Sequence, residues 1–149
     1  MITMLPATED DARELATLLR VEDRAEVLAL GLDPVDALLG SLSGSCEAWT
    51  WRDDGRIICM AGVGPLSLIG QTGVPWLLGS DLVPVHRRAF MIETRRTVAR
   101  WLGMFAVLRN TVDCRYEAAI RWLRWLGFTI GEPFALGTGL FRAAVKEAA

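Results

Sequence analysis

AVLRNTVDCRYEAAIRWLRWLGF, Ala106 to Phe128, is the stretch on which the fold of this 149-residue chain turns. It predicts a strand, a short polar turn, an amphipathic helix closed by Gly127, and the start of another strand. The strand half runs from Met104 to Val112, where Phe105, Val107 and Leu108 supply apolar, β-favouring residues. The helix starts near Tyr116. Ala119, Ile120, Leu123 and Leu126 fall at i, i+1, i+4 and i+7, which makes one buried face. Arg115, Arg121 and Arg124 lie outside that stripe. Gly127 suits a left-handed C-cap, and Phe128 can fold back onto the last turn. Trp122 and Trp125 widen the apolar surface, so periodicity alone reads as a core helix with an aromatic flank.

Outward from this stretch, the chain is the length of one domain with one sizeable core. Hydrophobic residues make up 52%, so few faces are left wholly polar. The first ten residues are acidic and lack a basic leader, so no signal peptide is expected. Cys46, Cys59 and Cys114 are an odd number without paired spacing, which points to reduced thiols in a cytoplasmic setting and to no zinc framework. One histidine and three scattered cysteines make no metal site. Ile57 to Ser80 carries no charge and is long enough to cross a bilayer. Its glycines and prolines break it into two buried strands around a QTG turn instead.

The rest of the chain falls into alternating elements. Ile2 to Pro6 reads as a first strand. Thr8 caps a helix whose stripe is Ala12, Leu15, Leu18 and Leu19, with acids in its first turn. A second helix covers Arg24 to Leu30. Asp33 and Pro34 start a third, which Gly40 and SLSGS end. Cys46 to Arg52 alternates as a strand, Asp53-Asp54-Gly55-Arg56 is a hairpin turn, and Ile57 to Val63 returns. Val74 to Val83 is a further strand stopped by Pro84. Val85 to Leu102 is a helix with Phe90, Thr94, Val98 and Trp101 as its buried seam. Pro133 to Ala144 reads as one bent strand or a hairpin. This order predicts a mixed α/β sheet, antiparallel in the hairpin region, with a parallel pair at the later βαβ unit and helices on both faces.

Charge is unevenly placed. Residues 1–83 hold 13 acids and 5 bases, whereas residues 84–126 hold 9 arginines and 3 acids. Arginine forks in such a patch suit phosphate or carboxylate. Solvated helix faces paired with the acidic half read equally well. The chain is acidic overall and carries no recognisable nucleic-acid-binding motif, so nucleic acid is not the expected partner.

The element order, with A-x6-L-G-F at Ala119, Leu126, Gly127 and Phe128 after a strand, resembles the GNAT N-acetyltransferase superfamily. VDCRYEAAIRWLRWLGFTIGEPF resembles more closely a group of tailed-phage GNAT-like or internal virion proteins. The resemblance implies a single GNAT-like domain over residues 1–149. It implies acetyl-CoA as co-substrate, lying in a splay between the fourth and fifth strands, with its pyrophosphate at the start of the following helix. The matching loop is Val83 to Met91, which has no glycine; His86, Arg87 and Arg88 occupy it. Leu82 and Val83 are the implied backbone contacts, Tyr116 stands where the family has an asparagine, and Leu123 where it often has a general-acid tyrosine. Asp81 is the candidate catalytic base, with Glu47 a second. Cys114 reads as structural. Implied partners are an amine acceptor or a phage or host protein, and the implied place is the host cytoplasm or the virion. Six tryptophans leave room for self-association. Two functions stay open: an acetyltransferase, or a GNAT-shaped structural protein that has lost catalysis.

Overall fold

The computed structural model describes residues 1–149. The chain begins with β1 (Ile2–Pro6), α1 (Glu9–Ala16), α2 (Val21–Ala29) and α3 (Pro34–Ser43). An antiparallel meander follows: β2 (Glu47–Asp53), β3 (Arg56–Pro65) and β4 (Thr72–Gly79). Next come α4 (Leu82–Val85), α5 (Arg87–Trp101), β5 (Val107–Asp113), α6 (Glu117–Trp125), β6 (Thr129–Ile130), β7 (Phe134–Leu136) and β8 (Gly139–Glu147). The sheet order is β1-β2-β3-β4-β5-β8-β6, with β7 on β8. Every pairing is antiparallel except β4–β5, which is parallel and confined to Thr72 opposite Val107 and Gly73 opposite Leu108. No helix is long and apolar enough to cross a membrane.

The mixed α/β sheet is as expected, and so is the split of Ile57–Ser80 into two strands. Their connection is Leu66–Gln71, longer than a QTG turn. The Asp-Gly hairpin forms with Asp54 at φ +46° and Gly55 at φ +83°. At the end of α6, Gly127 sits at φ +98°, its N–H on Arg124 O at 3.0 Å and the Phe128 N–H on Leu123 O at 2.9 Å. These are the two bonds of a Schellman cap, and they turn Phe128 into the core.

Several boundaries differ from the sequence expectation: α2 starts at Val21 rather than Arg24, β5 at Val107 rather than Met104, and the helix expected over Val85–Leu102 is broken at His86. The strand expected over Val74–Val83 stops at Gly79. Ser80 Oγ donates to the Ile57 and Ile58 carbonyls at 2.7 and 3.1 Å and accepts the Leu82 N–H at 3.2 Å, which bends the chain into α4. Leu82 and Val83 are therefore helical. α3 ends at Ser43, within the SLSGS stretch expected to end it; Asp33 caps it, and burial of Ala37 and Leu38 outweighs the one glycine inside. α1 ends at Ala16, which leaves Leu18 exposed. The C-terminal piece is the hairpin β7–β8, one of the two forms expected.

Helices α1 and α3 bury Ala12, Leu15, Ala37 and Leu38 with Ile57 and Met60 of β3. A second cluster joins Val98 and Trp101 of α5, Leu126 and Phe128 to Leu108 and Ala144 of the sheet. A third holds Trp51, Ile58, Cys59, Val83 and Phe90. Trp122 of α6 lies 5.3 Å from Phe90, centroid to centroid, and donates its indole N–H to Thr94 Oγ1 at 3.2 Å.

Helix α2 is fixed by polar bonds. Its N-cap, Arg20, donates its N–H to Gly79 O at 2.9 Å. Asp23, 3% exposed, accepts three donors on Oδ2: the Gly79 N–H at 2.6 Å and Arg20 Nη2 and Nε at 2.9 and 3.1 Å. At the other end, the Thr138 N–H in the β7–β8 turn reaches Ala29 O at 2.8 Å. Asp23→Ala strands the Arg20 guanidinium and the Gly79 N–H, and should cost about 3–5 kcal/mol in urea unfolding. A loss below about 1 kcal/mol would contradict this account of α2.

Candidate active site

Past their short parallel pairing, β4 and β5 are joined by side chains rather than by a ladder. Asn110 Nδ2 donates to Pro75 O across the gap at 2.6 Å. At the far end α2 spans the two strands, with Asp23 on the Gly79 N–H of β4 and Glu26 Oε2 on the Asp113 N–H of β5 at 2.9 Å. These two carboxylates are one helical turn apart. The Asn110 tie and α2 thus frame a window between the strands.

A backbone accounting shows what the window offers. The Ser80 N–H bonds Ile58 O of β3 and the Leu66 N–H bonds Thr72 O, so even-numbered residues of β4 face β3. Gly73, Pro75, Leu77 and Gly79 face the window edge. Gly73 pairs with β5, Pro75 has no N–H, and Gly79 serves Asp23 and Arg20. On β5, the Thr111 N–H is taken by Asn110 Oδ1 at 2.7 Å and the Asp113 N–H by Glu26. Leu77 also faces the window, beyond the two residue pairs of the β4–β5 ladder and with none of these side-chain ties on its N–H.

A cavity of about 1230 Å³ runs through this window. One mouth is lined by α2 and α3, including Asp23 and Glu26; the other by α5 and α6, including Arg87, Thr94 and Trp122. Asn110, Leu77 and Tyr116 also line it. Glu26 is half-buried. Burial, opposed by the Asp113 N–H and reinforced by the charges of Asp23 and Asp113, pushes its carboxyl up to about 7. Its Oε1 has no protein donor.

The residues expected from sequence fall in different places. Asp81 is an exposed N-cap of α4 whose side chain caps nothing. Val83 and Arg87 line the cavity, whereas Leu82 and His86 do not. His86 turns to the β2–β3 hairpin, its Nε2 buried 3.1 Å from Asp53 Oδ2. Arg87 and Arg88, free of ion pairs, start α5 and line an open groove of about 790 Å³ with Arg95, Arg96 and Trp125. The N–H groups of Arg87, Arg88 and Ala89 meet no backbone acceptor, as at the start of any helix. Tyr116 lies on the cavity beside Asp23 and under Arg20, whose guanidinium carbon is 5.8 Å from the ring. Burial first, then Asp23, pushes its phenol far up.

Glu47 is held by Trp49 Nε1 at 2.7 Å, Trp101 Nε1 at 2.9 Å and Arg100. Burial pulls its carboxyl up, but these donors outweigh it and hold it below the usual range, so Glu47 is a fixed anion rather than a base. Cys114 donates its N–H to Leu140 O, and its thiol is free. The residues that sequence reading missed are Asp23, Glu26, Leu77 and Asn110. The spacing of Asp23 and Glu26 is visible in the sequence, but nothing local tells that it bridges two strands.

Solved structures share this fold. The chain is similar to a GNAT-family acetyltransferase from Streptococcus pneumoniae, at 14% identity and a TM-score of 0.63 over 100% of both chains. It is similar to the ribosomal-protein-alanine N-acetyltransferase from Brucella melitensis, at 16% identity and 0.68, covering 98% of this chain and 99% of that one. An aminoglycoside acetyltransferase in complex with coenzyme A matches at 14% and 0.67, covering 99% and 95%.

The chain has the GNAT acyltransferase fold.

No protein-family model matches the sequence, and no curated protein matches it. The splay that the sequence resemblance implies for this fold corresponds to the β4–β5 window.

Glu26 gives the fold a measurable pH dependence. Its carboxyl titrates near 4.5 when unfolded and at about 7 when folded, so the folded chain binds the extra proton between those values. Stability relative to Glu26→Gln should therefore fall as pH rises from 4.5 to 7, by about 3 kcal/mol in all. Urea midpoints of both proteins across that range measure it; parallel pH profiles would refute the shift.

Proposed function

We propose that the chain transfers an acetyl group from acetyl-CoA to an acceptor that enters from the α2 side. The observation that carries this reading is the cavity at the β4–β5 window, with Leu77 on its wall past the end of the β4–β5 ladder. The residues present fit the co-substrate at two points. The free N–H groups at the start of α5, with Arg87 and Arg88, suit a pyrophosphate without glycines. The apolar residues that line the cavity from α5 and α6, Phe90, Met91 and Trp122 among them, suit an extended arm.

Bound acetyl-CoA supplies an activated thioester. With its carbonyl in the window, the Leu77 N–H stabilises the oxygen as charge develops on it. The strands hold that donor in place before reaction, and α2 and α6 keep donor and acceptor aligned. Solved relatives of the fold with coenzyme A bound support the donor's identity.

A second reading is favoured by one feature. Leu123, where the resemblance implies a general-acid tyrosine, packs with the α5–α6 core and cannot donate a proton. On that reading the chain is a GNAT-shaped structural protein, and the likeness of Val112–Phe134 to tailed-phage proteins supports a phage source and a place in the virion.

Thermal-shift titration decides between them. Acetyl-CoA at about a hundred times its Kd should stabilise the fold by about 2.7 kcal/mol. Replacing both Arg87 and Arg88 by Ala should weaken binding at least about tenfold, since charge-assisted bonds contribute about 1.5–3 kcal/mol each. No shift at millimolar acetyl-CoA would leave the structural reading standing.

A further inference from the structure

We propose that the outer edge of β1 is a self-association site, at which β1 pairs antiparallel with β1 of a second copy of the chain about a two-fold axis. The inference does not depend on the acyl-transfer reading.

The sheet supplies the edge. β1 ends the strand order on one side. At the other end β8 is flanked by β6 and β7, of two and three residues. The five residues of β1 are thus the longest free strand edge in the molecule. Folded chains usually guard such an edge with charge, a bulge or a covering element. β1, Ile-Thr-Met-Leu-Pro, carries no charge, and Thr3 to Pro6 are exposed. Met4 and Leu5 are 39% and 63% exposed although both are apolar.

A count of its backbone groups points to the partner. The Ala7 N–H bonds Ala48 O and the Asp54 N–H bonds Met1 O, so odd-numbered residues of β1 bond to β2. The free edge therefore presents the N–H and C=O of Ile2 and Met4, and the C=O of Pro6, which has no N–H. In a pairing centred on Met4, the two Met4 residues exchange both of their bonds. Each Ile2 N–H then reaches the Pro6 carbonyl of the other copy. Every donor on both edges finds an acceptor, and the Ile2 carbonyls at the ends stay with water. A pairing centred on Leu5 leaves Ile2 beyond the partner strand, and one centred on Thr3 leaves Leu5 and Pro6 outside.

The side chains agree with this register. Met4 lies opposite Trp51 in the β1–β2 pair and meets its own copy across the axis. On the other sheet face Leu5 meets Thr3 of the second copy, so no charge is buried. The axis stands perpendicular to the sheet, which puts α5 and α6 of both copies on one face of a continuous sheet. A five-residue pairing is smaller than the roughly 1,200–2,000 Å² of a stable interface. The dimer therefore forms and dissociates over micromolar concentrations.

Analytical ultracentrifugation of the full chain from micromolar to millimolar concentration tests it. The average mass should climb toward twice that of one chain. Met4→Pro removes only an outward N–H, so it should keep the wild-type urea midpoint yet weaken dimerisation at least about tenfold. Met4→Lys, which sets like charges opposite each other at the axis, should do the same and serves if Met4→Pro does not fold. The register is read by cross-linking in a Cys46→Ser, Cys114→Ser background. Paired Met4 residues stand about 5.5 Å apart at Cα, within disulfide range, so diamide should link Met4→Cys chains into dimers and leave Thr3→Cys chains unlinked. A monomer at every concentration overturns the proposal. So does a dimer that both Met4→Pro and Met4→Lys leave as tight as the wild type, or cross-linking of Thr3→Cys in place of Met4→Cys.

Discussion

One carboxylate oxygen organises the site. Asp23 Oδ2 collects the Gly79 N–H and two Arg20 donors in a place that is nearly sealed from water. Such a pair gains little net stability over apolar packing, because both charges lose their hydration. What it does supply is position. It sets α2 across the end of β4, and Glu26 can then reach the Asp113 N–H of β5. The β7–β8 turn fixes the other end of α2 through Ala29 O. A helix of nine residues with modest intrinsic stability is held at three points, and the window exists because it is.

The window also answers how a sheet tolerates an interrupted pairing. Strand edges with unpaired N–H and C=O groups are costly when buried. Here side chains replace most of the missing ladder: Asn110 bridges Pro75 O and the Thr111 N–H, and Asp23 and Glu26 take the next donors. Pro75 removes a donor that would otherwise have none. Leu77 is the position at which this compensation is omitted. An omission flanked on both sides by compensated neighbours is what a site for an outside acceptor atom requires.

How legible this was follows the range of each interaction. The α6 stripe, the Gly127 cap, the Asp54-Gly55 turn and the α5 seam of Phe90, Thr94, Val98 and Trp101 arise from spacings of a few residues. They are visible in the sequence because their causes are local. The end of β4 is not, since Ser80 is turned by carbonyls of β3 more than twenty residues away. His86 reads as a phosphate contact from its place in a loop, yet Asp53 of a distant hairpin draws it aside. Glu47 reads as a base, but Arg100 and two indoles claim it. Glu26 was passed over for the opposite reason: two acids a turn apart look like an ordinary solvated helix face until the fold buries them.

The charge segregation of the sequence acquires a physical meaning on the two sides of the sheet. Much of the arginine excess is absorbed: Arg100 by Glu47, Arg115 by Asp113, Arg96 by Glu93, and Arg95 over the ring of Trp125 at 5.0 Å. Of the five that remain, Arg87 and Arg88 stand at the start of α5, where the helix end already favours an anion. The acids of α2 stand at the opposite mouth. A cavity cationic at one end and anionic at the other orders two reactants of opposite charge and repels each from the other's entrance. That polarity also bears on the missing tyrosine. A thiolate is a good leaving group and needs little help from an acid, whereas an alkylammonium cannot attack until it loses a proton. On the acyl-transfer reading, the harder proton transfer is therefore on the acceptor side. It is there that the fold places a carboxylate raised toward neutrality, and Tyr116, its phenol raised further still, is the poorer proton donor of the two.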